Sequence, residues 1–591
     1  METHVSTLTA TAVRIAAGTN HDEGKNPDIP ALLAFWKENK CPLLALNHDS
    51  LKTLENSPEF NTAREAERNL LSSLKSEYDL VRRQWAKAGI SCLVIKSGGT
   101  FPSFPYTSDN LDVLVREEQE QAARAILQEQ GYVELRNIEE PKKFLFRKFN
   151  GGDCVSAIHL HTQVGWEVGF MDEDSLWHRA RPSPDDETII IPSAEDIILI
   201  TIAHSFYENK RFRLSDIIKI RECVQQDTID WDYVEGVARQ RGWIDGLYFC
   251  LLLYTHLEKT LWGEASIPPE SISAWKNSLK RKSSVYRYYR RTLRSPVTLP
   301  YKIPFTFSKV LYYKKILHDQ HYSFGRRIAD VIRTLMYGIK LKLRVRPQPS
   351  FLVSFSGPDG SGKTQHAQTL IKAVRQCGIK TKYCWSRTAT SGLFRFCSTC
   401  AKILMRNKVE VRKSGSGVAG RREQLRNPLL RFLWSYLVAA DMIFTYFFRV
   451  RLLMLRGKVM VCDRYIFDAA AEMACSLFPN DKINRLAIKL MLTLAPKPDI
   501  AYLLDIPEDI CARRKVEDTE PDYLRQQRRV YTALAARYNL YTKKTDGDFS
   551  VIAGEILREV TTPYYSNFRT FLNGLFLSNP RQLNPRHKGA K

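Results

Sequence analysis

The segment Gly357-Pro-Asp-Gly-Ser-Gly-Lys-Thr364, set between the apolar run Phe351–Ser356 and a helical stretch, restricts this chain more than any other feature. It fits G-x-x-x-x-G-K-[ST] in the strand-then-helix context that pattern requires. Gly357, Gly360 and Gly362 let main-chain amides converge on phosphate oxygens, with Asp359 and Ser361 completing the loop, and the helix that follows adds its positive dipole end. Lys363 is suited to bridge the β- and γ-phosphates of ATP, and the Thr364 hydroxyl to ligate Mg²⁺. Such a loop needs a sheet edge to hold it. Apolar strands at 351–356, 381–385, 459–462 and 500–504 alternate with helical stretches, which predicts a doubly wound parallel α/β domain.

Two further elements belong to the same site. Val459-Met-Val-Cys-Asp-Arg-Tyr465 delivers Asp463 and Arg464 at the carboxyl end of a buried strand, where such sheets bind ligands. Asp463 can hold Mg²⁺ or its water, and Arg464 can clamp an acceptor phosphate. After the strand at 501–505, Pro507 and Glu508 open a helix running to Arg513-Arg514-Lys515. Those cations complement the helix dipole, and they also suit a mobile lid over a transferring phosphoryl group. The guanine motif N-K-x-D of a GTPase is missing from the sequence, and Arg464 stands where a motor-type ATPase would carry a glutamate.

The succession GPDGSGKT, CDRY, LLDIPEDICARRK, VYTALAARYN and KKTDGD resembles the thymidylate kinases, in the same order and over roughly residues 351 to 560. The resemblance implies that Lys363 and Thr364 meet phosphate and Mg²⁺, that Asp463 and Arg464 form the acidic-basic pair of the active site, and that Arg513 or Arg514 is the lid arginine. It places Asp359 against the nucleoside sugar and Arg387 against the acceptor monophosphate. Gly360 replaces the loop arginine of one branch of the family, so the lid must supply the cation. Two positions depart from the pattern. Ala440-Asp441-Met442 stands where the family carries Ala-Asp-Arg, which removes a donor to thymine, and the basic stretch 388–430 is longer than expected.

The net charge of +24 is unevenly placed. Residues 271–350 hold 19 Lys and Arg against Asp319 and Asp330 alone, a surplus of 17. Mixed with aromatics, as in SVYRYYRRTLR, this segment suits contact with anionic membrane or nucleic acid; a connecting helical layer with a solvated basic face is the plainer reading. The twelve cysteines are scattered, and Cys397 with Cys400 lacks the partners of a zinc site. The first residues lack the apolar stretch of a signal peptide, and Asp441, Arg449 and Arg451 interrupt the apolar segment 433–455. A cytoplasmic protein, with that segment as a buried amphipathic helix, is the expectation.

The N-terminal part reads differently. Strands at 90–95, 111–115 and 157–161, a glycine turn at Lys96-Ser-Gly-Gly99, a helix at 118–130 and a mainly helical region from 193 to about 257 resemble the nucleotidyltransferase-like fold. Active members use a D-x-D and a third carboxylate to bind two metals. Here the corresponding positions hold Asn110, Asp112 and His159, and Asp109 is offset to the opposite face of its strand. The expectation is a degenerate, non-transferring domain, with His161 and His204 as ligands or as ordinary core histidines.

The predicted layout is an N-terminal helical region (1–74), an α+β nucleotidyltransferase-like domain (75–265), a basic connector (266–348), an α/β kinase-like domain (349–562) and a tail (563–591). The expected activity is transfer of the ATP γ-phosphoryl group to a nucleoside monophosphate or related small acceptor. A nucleotide-sensing regulatory protein is the alternative. Expected partners are ATP, the acceptor and a second copy in a homodimer.

Overall fold

The computed structural model describes residues 7–17, 28–46, 54–96, 110–135, 142–165, 169–183, 187–293, 298–342, 350–386, 428–476, 482–514 and 521–575. The chain is a mixed α/β protein in two compact units, Met1–Lys148 with Val155–Val345, and Phe149–Cys154 with Arg346–Lys591.

The first unit is built on a sheet of order β1-β2-β5-β4-β3, with β1 Cys92–Val94, β2 Leu111–Val115, β3 Val133–Leu135, β4 Lys143–Asn150 and β5 Asp153–His161. β1 runs antiparallel to β2, and β2 parallel to β5, with Asp112 opposite His159. A helix over Pro58–Lys87 covers one face. Ser57 caps its start by accepting from the Phe60 amide, Pro58 sits where no partner is needed for a missing N–H, and Gly89 at φ 69° lets the chain leave it. Tyr78, Val81 and Trp85 of that helix pack with Val113, Leu127 and Leu160.

A helical layer follows. Every residue of the helix Ala194–Ala203 is buried, its apolar run Ile197–Ile200 in the core and its two carboxylates, Glu195 and Asp196, paired with Arg179. The basic segment joins this core: Leu299, Ile303, Leu311, Tyr312 and Ile316 lie in one cluster with Ile198, Leu214 and Leu251. It is therefore part of the packed unit, and one of its cations, Lys315, is itself buried and donates to the Gly169 carbonyl oxygen at 2.8 Å. Short pairs, β6 Arg181–Pro182 with β7 Ile190–Ile191 and β8 Arg211–Phe212 with β9 Tyr301–Lys302, tie loops to the layer.

The second unit holds a five-stranded sheet of order β11-β12-β10-β13-β14. Its strands are β10 Phe351–Ser356, β11 Thr381–Trp385, β12 Val459–Asp463, β13 Ile500–Asp505 and β14 Tyr541–Lys544, and every neighbouring pair is parallel. β10 and β12 are buried along their whole length, as central parallel strands are.

The helix Pro428–Tyr446 and its continuation to Leu455 differ from the expected buried helix. Val438, Met442 and Tyr446 enter the core, but Leu433, Phe444, Phe447, Phe448, Leu452 and Leu455 are exposed. The sequence here is apolar around most of the helix, so packing one side leaves apolar side chains on the other. Among the described residues, no helix is long and apolar enough to cross a membrane.

Candidate functional site

The loop after β10 is shaped by positions only glycine fits. Gly357 has φ 151°, and a Cβ there would lie 2.5 Å from the Leu504 carbonyl oxygen of β13. Gly360 and Gly362 have φ 90° and 85°, and Gly362 is the cap of the helix Lys363–Gln376. The loop thus turns back over the carboxyl ends of β10 and β13 and presents the start of that helix.

Lys363 is 5% exposed and donates to the carbonyl oxygens of Gly357 (2.7 Å) and Pro358 (2.8 Å), with the Asp359 carboxylate 3.8 Å away. Burial lowers its pKa below the usual lysine range, and the nearby Asp468 carboxylate opposes that. Thr364 Oγ1 donates to Asp463 Oδ2 at 2.6 Å. The parallel pairing of β10 with β12, Phe355 opposite Asp463, brings the two together. Tyr383 of β11 donates its hydroxyl to the same oxygen at 2.7 Å. Asp463 Oδ1 and Ser361 Oγ are buried with no hydrogen-bond partner among the described residues. An orphaned carboxylate oxygen beside a hydroxyl fits a hard cation that takes only one or two protein ligands.

Arg464 holds a left-handed backbone at φ 69°, uncommon for a residue with a side chain. Its amide donates to the Phe355 carbonyl (3.0 Å) and its own carbonyl accepts from Ser386 Oγ (3.2 Å). The guanidinium pairs with the Asp359 carboxylate. Asp468 braces the loop from below: its carboxylate accepts from the amides of Gly357 (3.4 Å) and Tyr465 (2.9 Å) and from the Tyr531 hydroxyl (2.9 Å). Burial raises the Asp468 pKa.

The predicted residues Gly357, Asp359, Gly360, Ser361, Gly362, Lys363, Thr364, Asp463 and Arg464 therefore come together at one end of the sheet. Arg513 and Arg514 close the helix Glu508–Arg514, and their side chains lie outside the described residues. So do Arg387, the stretch 388–427, and Cys397 with Cys400. Met442 is 2% exposed and packs in the core. Sequence reasoning missed Tyr383, Asp468 and Arg528, which grips Asp505 through two bonds of 2.8 and 2.9 Å. Asp468 lies one helical turn past the Asp-Arg pair, the only signal for it; Tyr383 and Arg528 had none.

A second polar cluster lies on the sheet of the first unit. Asp112 Oδ1 bonds His161 Nε2 at 2.8 Å, its Oδ2 accepts from Asn110 at 2.8 Å, and Lys96 Nζ stands 3.6 Å away. His159 Nδ1 contacts Asn110 at 3.0 Å. Lys96 also bonds Glu208 Oε2 and Lys143 bonds Oε1, both at 3.4 Å, and His204 pairs with Glu208. Burial works to raise the Asp112 pKa, but Lys96 and the two histidines outweigh it and hold the carboxylate well below its usual range. Burial pushes His161 down to about 3, so it is the neutral imidazole. The Asp112 carboxylate is thus already saturated by a cation and hydrogen bonds. Asp109 and Ser97 to Gly99 lie outside the described residues. Among those described, no group of three or more His, Cys, Asp and Glu is arranged to hold a metal.

Residues 41–258 match the family described as uncharacterised nucleotidyltransferase. The match takes in β1 to β5 and the helices after them up to residue 258, so this part of the chain is similar to a transferase family.

Proposed function

We propose that the second unit is a P-loop kinase of thymidylate-kinase type, which transfers the γ-phosphoryl group of ATP to a nucleoside monophosphate or a related small phosphorylated acceptor. The observation that carries this reading is the Thr364–Asp463 contact beneath the glycine loop, with Asp463 Oδ1 buried and unpartnered. Mg²⁺ held through Thr364 and Asp463 would neutralise phosphate charge. The loop amides and Lys363 would grip the triphosphate. Lys363, whose ammonium donates to the Gly357 and Pro358 carbonyl oxygens, would exchange those acceptors for phosphate oxygens. Arg464 and Arg387 would hold the acceptor phosphate, and Arg513 or Arg514 would cover the transferring group. Catalysis in such a site is positioning and charge neutralisation.

The first unit, in this reading, does not transfer nucleotides, because Asp112 is bound by Lys96 and His161 instead of standing open to two metals. A nucleotide sensor is the second reading. It is favoured by the Asp359–Arg464 pair, which occupies both a sugar-facing and a phosphate-facing side chain.

Incubation with γ-labelled ATP and a panel of nucleoside monophosphates tests the proposal. Label should pass to at least one acceptor, and Lys363→Ala should reduce transfer by on the order of 10²-fold or more. Retained ATP binding with no transfer to any acceptor would leave the sensor reading standing.

A further inference from the structure

The helix Phe324–Lys342, last of the first unit, is turned inside out relative to ordinary surface helices. Such helices bury their apolar face and expose the polar one. Here Phe324, Ile328, Ile332, Leu335, Met336 and Ile339 are 37% to 70% exposed. At about 100° per residue these positions fall within an arc of roughly 120°, one continuous stripe. Asp330 and Thr334, each 2% exposed, lie on the opposite side and face the protein.

Charge decides what covers the stripe. The helix carries five basic residues, Arg326, Arg327, Arg333, Lys340 and Lys342, and one acidic residue. That acid, Asp330, is buried and paired with Arg333 at 2.8 Å and Arg326 at 3.9 Å, so it offers nothing to an outside cation. Arg344 and Arg346 follow directly, and no acidic residue lies between Asp330 and the phosphate loop until Asp359. A second copy of the same helix would bring two basic surfaces together. Nucleic acid would need cations, not aliphatic side chains, at the centre of the face. An anionic bilayer supplies both complements: an acyl region for the stripe and headgroup charge for the flanking arginines.

We propose that the helix Phe324–Lys342 is an interfacial anchor that lies in the surface of an anionic lipid bilayer, its apolar stripe in the acyl boundary and its cations at the headgroups. At 19 residues it is roughly 28 Å long, lies flat and does not span.

Co-sedimentation of the full-length protein with vesicles tests this, using phosphatidylcholine with 30% phosphatidylglycerol against phosphatidylcholine alone. The protein should pellet with the anionic vesicles, pellet at least tenfold less with the neutral ones, and be released by high salt. Ile332→Glu with Leu335→Glu should reduce partition about tenfold or more, with melting temperature and circular dichroism unchanged. Should that pair misfold, Ile332→Ser with Leu335→Ser must still lower partition about threefold. The proposal is overturned if wild type stays in solution with anionic vesicles, if it binds neutral vesicles equally, or if folded variants bind as well as wild type. A change of oligomeric state in the variants without any vesicle binding would assign the stripe to a second copy and equally overturn it.

Discussion

At the scale of single residues, the two polar sites contrast in how their carboxylates are satisfied. Asp463 has one oxygen fully engaged by Thr364 and Tyr383 and the other buried with no partner among the described residues. Asp463→Asn keeps an acceptor for both hydroxyls and removes the charge. Its expected effect is loss of the Mg²⁺ dependence of ATP binding in calorimetry, with stability within about 1 kcal/mol of wild type. Asp112, in contrast, is saturated by His161, Asn110 and Lys96. His161 is folded as a neutral ring with its pKa pushed down to about 3, against an ordinary 6.5 in the unfolded chain. Below pH 6.5 the unfolded chain takes up a proton that the folded one refuses. Stability of the first unit should therefore be full above pH 6.5 and fall as pH drops toward 3, by on the order of 2 kcal/mol at pH 5. The depressed Asp112 adds loss in the same direction below about pH 3.8. Denaturant melts at pH 7.5 and 5.0 check this, and His161→Gln, which still donates to Asp112, should flatten the difference.

At the scale of elements, the loop between β10 and its helix depends on Gly357. A Cβ would meet the Leu504 carbonyl at 2.5 Å, and that carbonyl belongs to a central strand that cannot shift without disturbing the sheet. Gly357→Ala is expected to destabilise the second unit by about 2 kcal/mol or more and to abolish ATP binding, measured by thermal melting and calorimetry. The strands β10 to β13 were legible to within a residue or two because central parallel strands are continuous apolar runs. β3, β4 and β14 were not. β4 carries Lys143, Arg147 and Lys148, and β14 is Tyr-Thr-Lys-Lys, an edge strand with three of four residues exposed. Such strands are held by pairing with neighbours, which local sequence does not display. Which side of the helices Phe324–Lys342 and Pro428–Tyr446 meets the core is likewise a matter of packing, which local sequence does not display.

At the scale of the whole molecule, each unit has its own hydrophobic core, one around Trp85, Leu127 and Leu160 with the helical layer beyond it, the other around Tyr446, Met460 and Tyr465. Separate cores give separate cooperative transitions. Under the proposed function, Mg²⁺ and ATP at 100 times the dissociation constant should stabilise the second unit by about 2.7 kcal/mol and leave the first transition where it was. Calorimetric scans with and without nucleotide check it, and a shift of the first transition alone would move nucleotide binding to the other unit. The sequence by itself determined the glycine-rich loop that leads into Lys363 and Thr364 and the apolar strand that ends in Asp463 with Arg464 after it, because each is a local pattern written in consecutive residues. Only the tertiary structure decided that Tyr383 bonds Asp463 and Asp468 braces that loop, that Lys96 and His161 occupy Asp112, and that the basic segment is packed into a core with an apolar stripe turned outward. Those outcomes depend on strand register and helix rotation, which bring together residues far apart in the chain.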